Sequence, residues 1–230
     1  MPEKIIGILG GMGPEATVAL FYKIIKLTPA EKDQEHFRII IDNNSKIPDR
    51  TAAILGKGED PLPFLQETAR NLERAGADFI IIPCNTAHYF LPRIQESVKI
   101  PIINMIAETA AEVKQRVPYI KKIGLLATTG VYKTKIYNQF FQKFKIEVIF
   151  PDKEDQEKVM KVIYTVKAGD LSNEPKKDIL AVSQNLIDKG AEAIIAGCTE
   201  IPLILKDGDI LVTIIDPTQV LASIAVQKAR

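Results

Sequence analysis

The same nine-residue pattern occurs twice in this chain, each time as a glycine, two small or acidic residues and an apolar run that stops at a cysteine. It reads Gly76-Ala77-Asp78-Phe79-Ile80-Ile81-Ile82-Pro83-Cys84 in the first half and Gly190-Ala191-Glu192-Ala193-Ile194-Ile195-Ala196-Gly197-Cys198 in the second. Two further echoes keep the same order. Ile6-Gly7-Ile8-Leu9 returns as Ile123-Gly124-Leu125-Leu126, and Phe37-Arg38-Ile39 returns as Phe144-Lys145-Ile146. The offsets are 117, 107 and 114 residues, so one unit of about half the 230-residue chain explains all three. One echo is within reach of shared composition; three in sequence point to an internal repeat.

Within each half, apolar β-branched runs alternate with longer amphipathic stretches, the pattern of βαβ units and a parallel sheet. The expected strands are Ile5–Leu9, Arg38–Ile41, Phe79–Ile82 and Ile102–Ile103, then Lys122–Leu126, Glu147–Phe150, Ala193–Ala196 and Val212–Ile215. The expected helices include Pro14–Lys26, Pro63–Ala75, Ala107–Val117, Lys133–Phe144, Asp155–Lys167 and Lys176–Lys189. Proline suits the first helical position of the earliest, where its missing N–H has no partner to lose. The fold class is therefore α/β: two similar domains with mainly parallel sheets, related by a pseudo-two-fold axis. Residues 1–104 plus 212–230 are expected to form the first domain and 105–211 the second, with Val212–Ile215 returning to the first. Each cysteine ends a strand, at the carboxyl edge where open α/β sheets bind ligands. The arrangement predicts that the two thiols face each other across an interdomain cleft.

Charge adds little beyond exclusions. Thirty Lys and Arg nearly cancel 29 Asp and Glu, and no like-charge block is long enough for a nucleic-acid arm or a membrane patch. No apolar run approaches the roughly 18 residues of a membrane span. The opening MPEKIIGILGG is unlike a signal peptide, so the expected location is the cytoplasm. Two cysteines there do not make a disulfide framework, and the close ligand pairs of a structural zinc site are missing.

Opposed thiols suit one kind of chemistry. Inverting a carbon centre by proton transfer needs a base on one face and an acid on the other, and a pair from repeated halves serves in both directions. The acting base is a thiolate, and a free cysteine titrates near about 8.5 unless donors or a helix N-terminus lower it. Asn85-Thr86 follows the first cysteine and Thr199-Glu200 the second, offering groups to hold a carboxylate. Helix capping is the plainer role for Asn85, Thr86 and Thr199. His88 lies one helical turn beyond Cys84, near enough to tune it or simply to pack. His36, in a charged loop, receives no role.

IIPCNTAHY (Ile81–Tyr89) and IIAGCTEIPLI (Ile194–Ile204) resemble the two signature segments of the aspartate/glutamate racemase superfamily. The opening IGILGGMGPEAT and the stretch NNSKIPDRT (Asn43–Thr51) resemble its aspartate racemase branch, and the likeness runs essentially the whole length. It implies a pyridoxal-free, cofactor-independent 1,1-proton-transfer racemase acting on aspartate as a homodimer. It further implies Cys84 and Cys198 as the catalytic pair. Asn85, Thr86, Thr129, Gly130 and Thr199 would hold the α-carboxylate and amino groups, and Arg50 and Lys167 the side-chain carboxylate. Arg50 sits in a Pro-Asp-Arg loop after a strand and arginine suits a carboxylate, though a surface ion pair is the plainer reading. For Lys167, on a polar helix end, it is solvation.

Rival readings remain. Gly11-Met12-Gly13-Pro14-Glu15-Ala16 fits the G-x-G-x-x-G/A dinucleotide fingerprint of a nicotinamide-dependent dehydrogenase. The acid expected about 20 positions on is missing, with only Asp42 some 30 away, and the second-half loop Ala127-Thr128-Thr129-Gly130 lacks the glycines. An amino-acid-binding module of the same fold would need no paired thiols. Glutamate racemase, hydantoin racemase and maleate isomerase fit the GGMGP opening and His88 less well.

Overall fold

A computed structural model describes residues 3–230, and its two parallel sheets follow the repeat. The chain divides into two units, residues up to Glu108 with Thr218–Arg230, and Thr109–Pro217.

In the first unit β1 (Ile6–Gly10) leads through α1 (Pro14–Leu27) to β2 (Ile39–Asn43), and α2 (Arg50–Ile54) and α3 (Leu62–Arg74) precede β3 (Phe79–Ile81). The sheet order is β2-β1-β3, all parallel, with Ile6 opposite both Ile39 and Phe79. Side chains alternate across a strand. Ile6, Ile8, Phe79 and Ile81 therefore pack on α1 and the C-terminal helix (Pro217–Ala229), whereas Leu9, Ile80 and Ile82 pack on α3. Both faces are covered, which is why the strands read as continuous apolar runs. A short 3₁₀ turn, Thr86–Phe90, and α4 (Leu91–Gln95) follow β3.

Helix α5 (Met105–Arg116) leads into the second unit, whose sheet comprises β4 (Lys122–Ala127), β5 (Glu147–Ile149), β6 (Ala193–Gly197) and β7 (Thr213–Ile215) in the order β5-β4-β6-β7. Between them run α6 (Thr129–Thr134), α7 (Ile136–Phe141), α8 (Lys153–Lys167), α9 (Asn173–Asp188) and α10 (Ile201–Ile204). Leu126, Ile194 and Ala196 pack beneath α8 and α9.

The repeated Gly-Ala-acid triplet has a mechanical meaning. Gly76 and Gly190 have φ of +94° and +95°, the left-handed conformation that a side chain disfavours. Each stops a helix in a Schellman motif. Gly76 N–H donates to Glu73 and Ala77 N–H to Leu72; Gly190 N–H donates to Ile187 and Ala191 N–H to Leu186. The acid that follows clamps the start of the neighbouring strand. Asp78 Oδ2 accepts from Ile5 N at 2.6 Å, and Glu192 Oε1 accepts from Lys121 and Lys122 N at 3.1 Å each. The helix stop and strand start are thus fixed together, which delivers the cysteine to the same sheet edge in both copies.

Two expectations need correction. Val212–Ile215 does not return to the first unit, because Thr213–Ile215 pairs in parallel with Ala193–Ile195. Its repeat partner behaves alike, since Ile102 bridges Ile80 in its own sheet. The chain changes units in the helices that follow, so the boundaries lie at Glu108 and Pro217 instead of 104 and 211. The expected helix Lys133–Phe144 is broken at Lys135, whose φ is +52°. Thr134 Oγ1 takes the carbonyls of Gly130 and Val131, and Lys135 closes α6 in a left-handed cap.

Candidate active site

In the first unit the cysteine loop leaves β3 through Ile82 and Pro83 and buries Cys84 at 6% exposure. Asn85 and Thr86 are buried beside it. Asn85 precedes the 3₁₀ turn, but its side chain makes no capping hydrogen bond, so capping does not explain it. His88 is committed to the backbone: Nδ1 lies 2.8 Å from the Cys84 carbonyl, and Nε2 accepts from Met105 N at 3.1 Å. A ring nitrogen that accepts an N–H carries no proton, so His88 is neutral and Nδ1–H is the donor to Cys84. Burial pushes it down to about 4, outweighing the carbonyls of Cys84 and Ile103 that favour its charged form.

Arg50 opens α2, capped by Asp49, whose Oδ1 accepts from Ala52 N at 2.7 Å. It is only 8% exposed. Nη1 donates to the carbonyls of Ile47 (3.2 Å) and Pro48 (3.0 Å), Nη2 reaches Met12 O at 3.5 Å, and Nε has no hydrogen-bond partner. Among the described residues no carboxylate pairs with it. A buried guanidinium held only by carbonyls is costly unless an anion completes it, so the surface ion-pair reading fails. Helix α2 packs against the turn that follows Cys84. The glycine loop supports this corner: a Cβ on Gly11, φ +92°, would meet the Asn44 backbone at 2.3 Å. Internal packing therefore accounts for the first glycine of the apparent dinucleotide fingerprint.

In the second unit the register Ala127↔Gly197 carries Thr128-Thr129-Gly130 and Cys198-Thr199 to one sheet edge. Thr128 caps α6 through Val131 N at 3.4 Å, Thr129 N–H points at Met160 Sδ at 3.1 Å, and Gly130 is buried. Cys198 is 7% exposed, with Sγ 2.8 Å from Oε2 of Glu200; the same oxygen accepts from Thr199 Oγ1 at 3.1 Å. Burial pushes the Cys198 thiol well up, the Glu200 charge adds to this, and Lys167 at the end of α8 acts the other way. Lys167 thus belongs to the electrostatic surroundings of Cys198. Tyr132 and Tyr137 are buried nearby and kept neutral, chiefly by burial and then with a contribution from the Cys198 charge.

In the sequence Glu200 stands only as a polar neighbour of the second cysteine, with no effect on the thiol assigned to it. The signal was available: two positions after the cysteine, the first copy has Thr86 and the second has an acid inside an apolar run. Among the described residues, no helix is long and apolar enough to cross a membrane.

Comparison with known proteins agrees with this layout. Residues 9–225 match the family model described as Asp/Glu/Hydantoin racemase. The chain is 29% identical over 225 residues, 95% of each protein, to the broad specificity amino-acid racemase RacX of Bacillus subtilis (strain 168). It superposes on the aspartate racemase of Picrophilus torridus with a TM-score of 0.83 at 33% identity, covering 98% of this chain and 94% of that one. An aspartate racemase homologue from Pyrococcus horikoshii OT3 gives a TM-score of 0.78 at 28% identity, covering 98% and 99%. With its paired sheets, its repeated cysteine loops and this match across nearly all of its length, the chain belongs to the Asp/Glu/hydantoin racemase family and is an amino-acid racemase of that family.

Proposed function

We propose that the protein interconverts L- and D-aspartate by two-base proton transfer between Cys84 and Cys198, without pyridoxal phosphate. One observation carries this reading: each repeat presents a buried cysteine at the carboxyl edge of its own parallel sheet, beside polar groups. The reaction needs the two thiols to meet on opposite faces of the substrate α-carbon. The thiolate of one cysteine removes the α-hydrogen, forming its S–H bond as the C–H bond breaks. The thiol of the other then delivers its proton to the opposite face of the carbanion and is left as a thiolate. Charge and protons balance, and the reverse reaction uses the same pair in exchanged roles.

Aspartate is favoured by the buried Arg50, whose guanidinium pairs with no carboxylate among the described residues, and by the two aspartate racemase-type structures that match along nearly their whole lengths. Asn85, Thr86, Thr129, Gly130 and Thr199 are the proposed holders of the α-carboxylate and amino group, with Lys167 assisting at the second cysteine. The decisive experiment incubates purified protein, free of added pyridoxal phosphate, with L-aspartate, L-glutamate and a panel of other L-amino acids. Chiral chromatography follows the D-isomers. D-Aspartate should form fastest. Faster D-glutamate would overturn the substrate and leave the chemistry standing; no D-isomer from any substrate would overturn both.

A further inference from the structure

The two cysteines stand in unlike surroundings despite the repeat. Cys198 Sγ is 2.8 Å from the Glu200 carboxylate, itself only 6% exposed, whereas the equivalent position after Cys84 holds Thr86 and the nearby histidine is tied to backbone. We infer that Glu200 is a positioning residue that sets the polarity of the thiol pair, holding a proton on Cys198 so that the resting enzyme carries Cys198 as the acid and Cys84 as the base.

The reasoning is electrostatic. A thiolate and a carboxylate 2.8 Å apart in a buried site are two like charges, and one proton between them removes the repulsion. That proton sits on sulfur and is donated to Oε2, and Thr199 Oγ1 donates to the same oxygen, keeping the carboxylate in place. The other charged group acting on Cys198 is Lys167 of α8, which opposes the effect; Tyr132 of α6 and Tyr137 of α7 are buried phenols that a negative charge at Cys198 pushes further up. Asp216, after β7, acts on Tyr137. The balance raises the thiol. Turnover with Cys84 as base leaves a Cys198 thiolate beside Glu200, so the free enzyme resets by taking one proton from solvent at Cys198 and releasing one from Cys84. The catalytic meaning rests on the proposed two-cysteine reaction, but the proton assignment is measurable without substrate.

Cys84 and Cys198 are 6% and 7% exposed, so access does not favour either. The native protein is labelled briefly with iodoacetamide near neutral pH and mapped by peptide mass, with denatured protein as the reference for full labelling. Cys84 should react at least about 10-fold faster, because alkylation follows the thiolate fraction and Glu200 holds Cys198 as the thiol. Glu200→Gln should raise the Cys198 rate about 10-fold or more, and Glu200→Asp should keep it slow. In Cys84→Ser protein, where Cys198 is the sole thiol, thiolate absorbance should titrate at lower pH once Glu200→Gln is added. Equal labelling of the two cysteines in the unaltered protein would overturn the inference, as would a Cys198 titration unmoved by Glu200→Gln. If Glu200→Gln does not fold, the wild-type ratio and the Glu200→Asp titration decide. Racemisation without the labelling bias sinks only this inference; the bias without racemisation sinks only the two-base reading.

Discussion

The Nδ1 of His88 lies 2.8 Å from the carbonyl oxygen of Cys84, and on the other side of the ring Nε2 accepts the Met105 N–H. Its position one turn after a candidate catalytic thiol suggests a tuning role. The geometry gives it a different one: a neutral bracket that ties the cysteine loop to the start of α5.

That bracket makes stability pH-dependent. His88 titrates at about 4 when folded against 6.5 in the open chain, so between those values the unfolded state binds more protons. Stability therefore rises with pH across this window and is lost as pH falls through it, by on the order of 3 kcal/mol. Urea unfolding at pH 4 and pH 7.5 should show the difference, and His88→Ala should shrink it. At pH 7.5 the same variant should cost about 2–4 kcal/mol, since a buried carbonyl and a buried N–H lose their partner. An undiminished pH dependence in His88→Ala would assign the effect to other groups.

Arg50 should show a trade between stability and activity. Arg50→Ala removes a charge-assisted contact to the substrate and should lower kcat/KM for aspartate by about 30- to 1000-fold, or roughly 2–4 kcal/mol. Arg50→Met, which fills the space without a buried, unpaired charge, should melt at the same temperature or higher while losing activity to a similar extent. Unchanged aspartate kinetics in Arg50→Ala would remove the residue from the site.

The helix stops can be tested apart from the chemistry. Nothing lies within 4 Å of a Cβ added to Gly76, so Gly76→Ala measures only the cost of a left-handed alanine. At Gly190 the nearest atom is Lys122 Cδ at an ordinary 3.6 Å. Each variant should lose about 1 kcal/mol in chemical denaturation with kcat unaltered. A loss near zero would mean that the backbone relaxes out of the Schellman geometry.

How much of this was legible in the sequence follows from which physics is local. The repeat, the strand cores and the paired cysteines are written in periodicity and spacing, and the acid clamp at Asp78 and Glu192 sits inside the repeated motif itself. The C-terminal helix is hard to read from the sequence because its polar stripe is narrow, with Gln219, Ser223 and Gln227 exposed among buried Val220, Leu221, Ala222, Ala225 and Val226. The place where the chain changes units is not legible, because strand pairing is a long-range property that Val212–Ile215 does not encode alone. The Cys198–Glu200 contact needed side-chain geometry, although the Thr86-to-Glu200 difference between the copies pointed at it.

The paired-thiol mechanism is tested most directly by proton exchange in single-cysteine variants. Cys84→Ser and Cys198→Ser should each lose racemisation, because a serine hydroxyl is far too weak an acid or base to replace the missing thiol. The remaining thiolate still removes and returns a proton on its own face. In deuterated water, followed by NMR of the α-hydrogen together with chiral analysis, each variant should exchange one enantiomer of aspartate without inverting it, and the two variants should choose opposite enantiomers. Racemisation at near wild-type rate in either variant, or exchange of the same enantiomer by both, would contradict it.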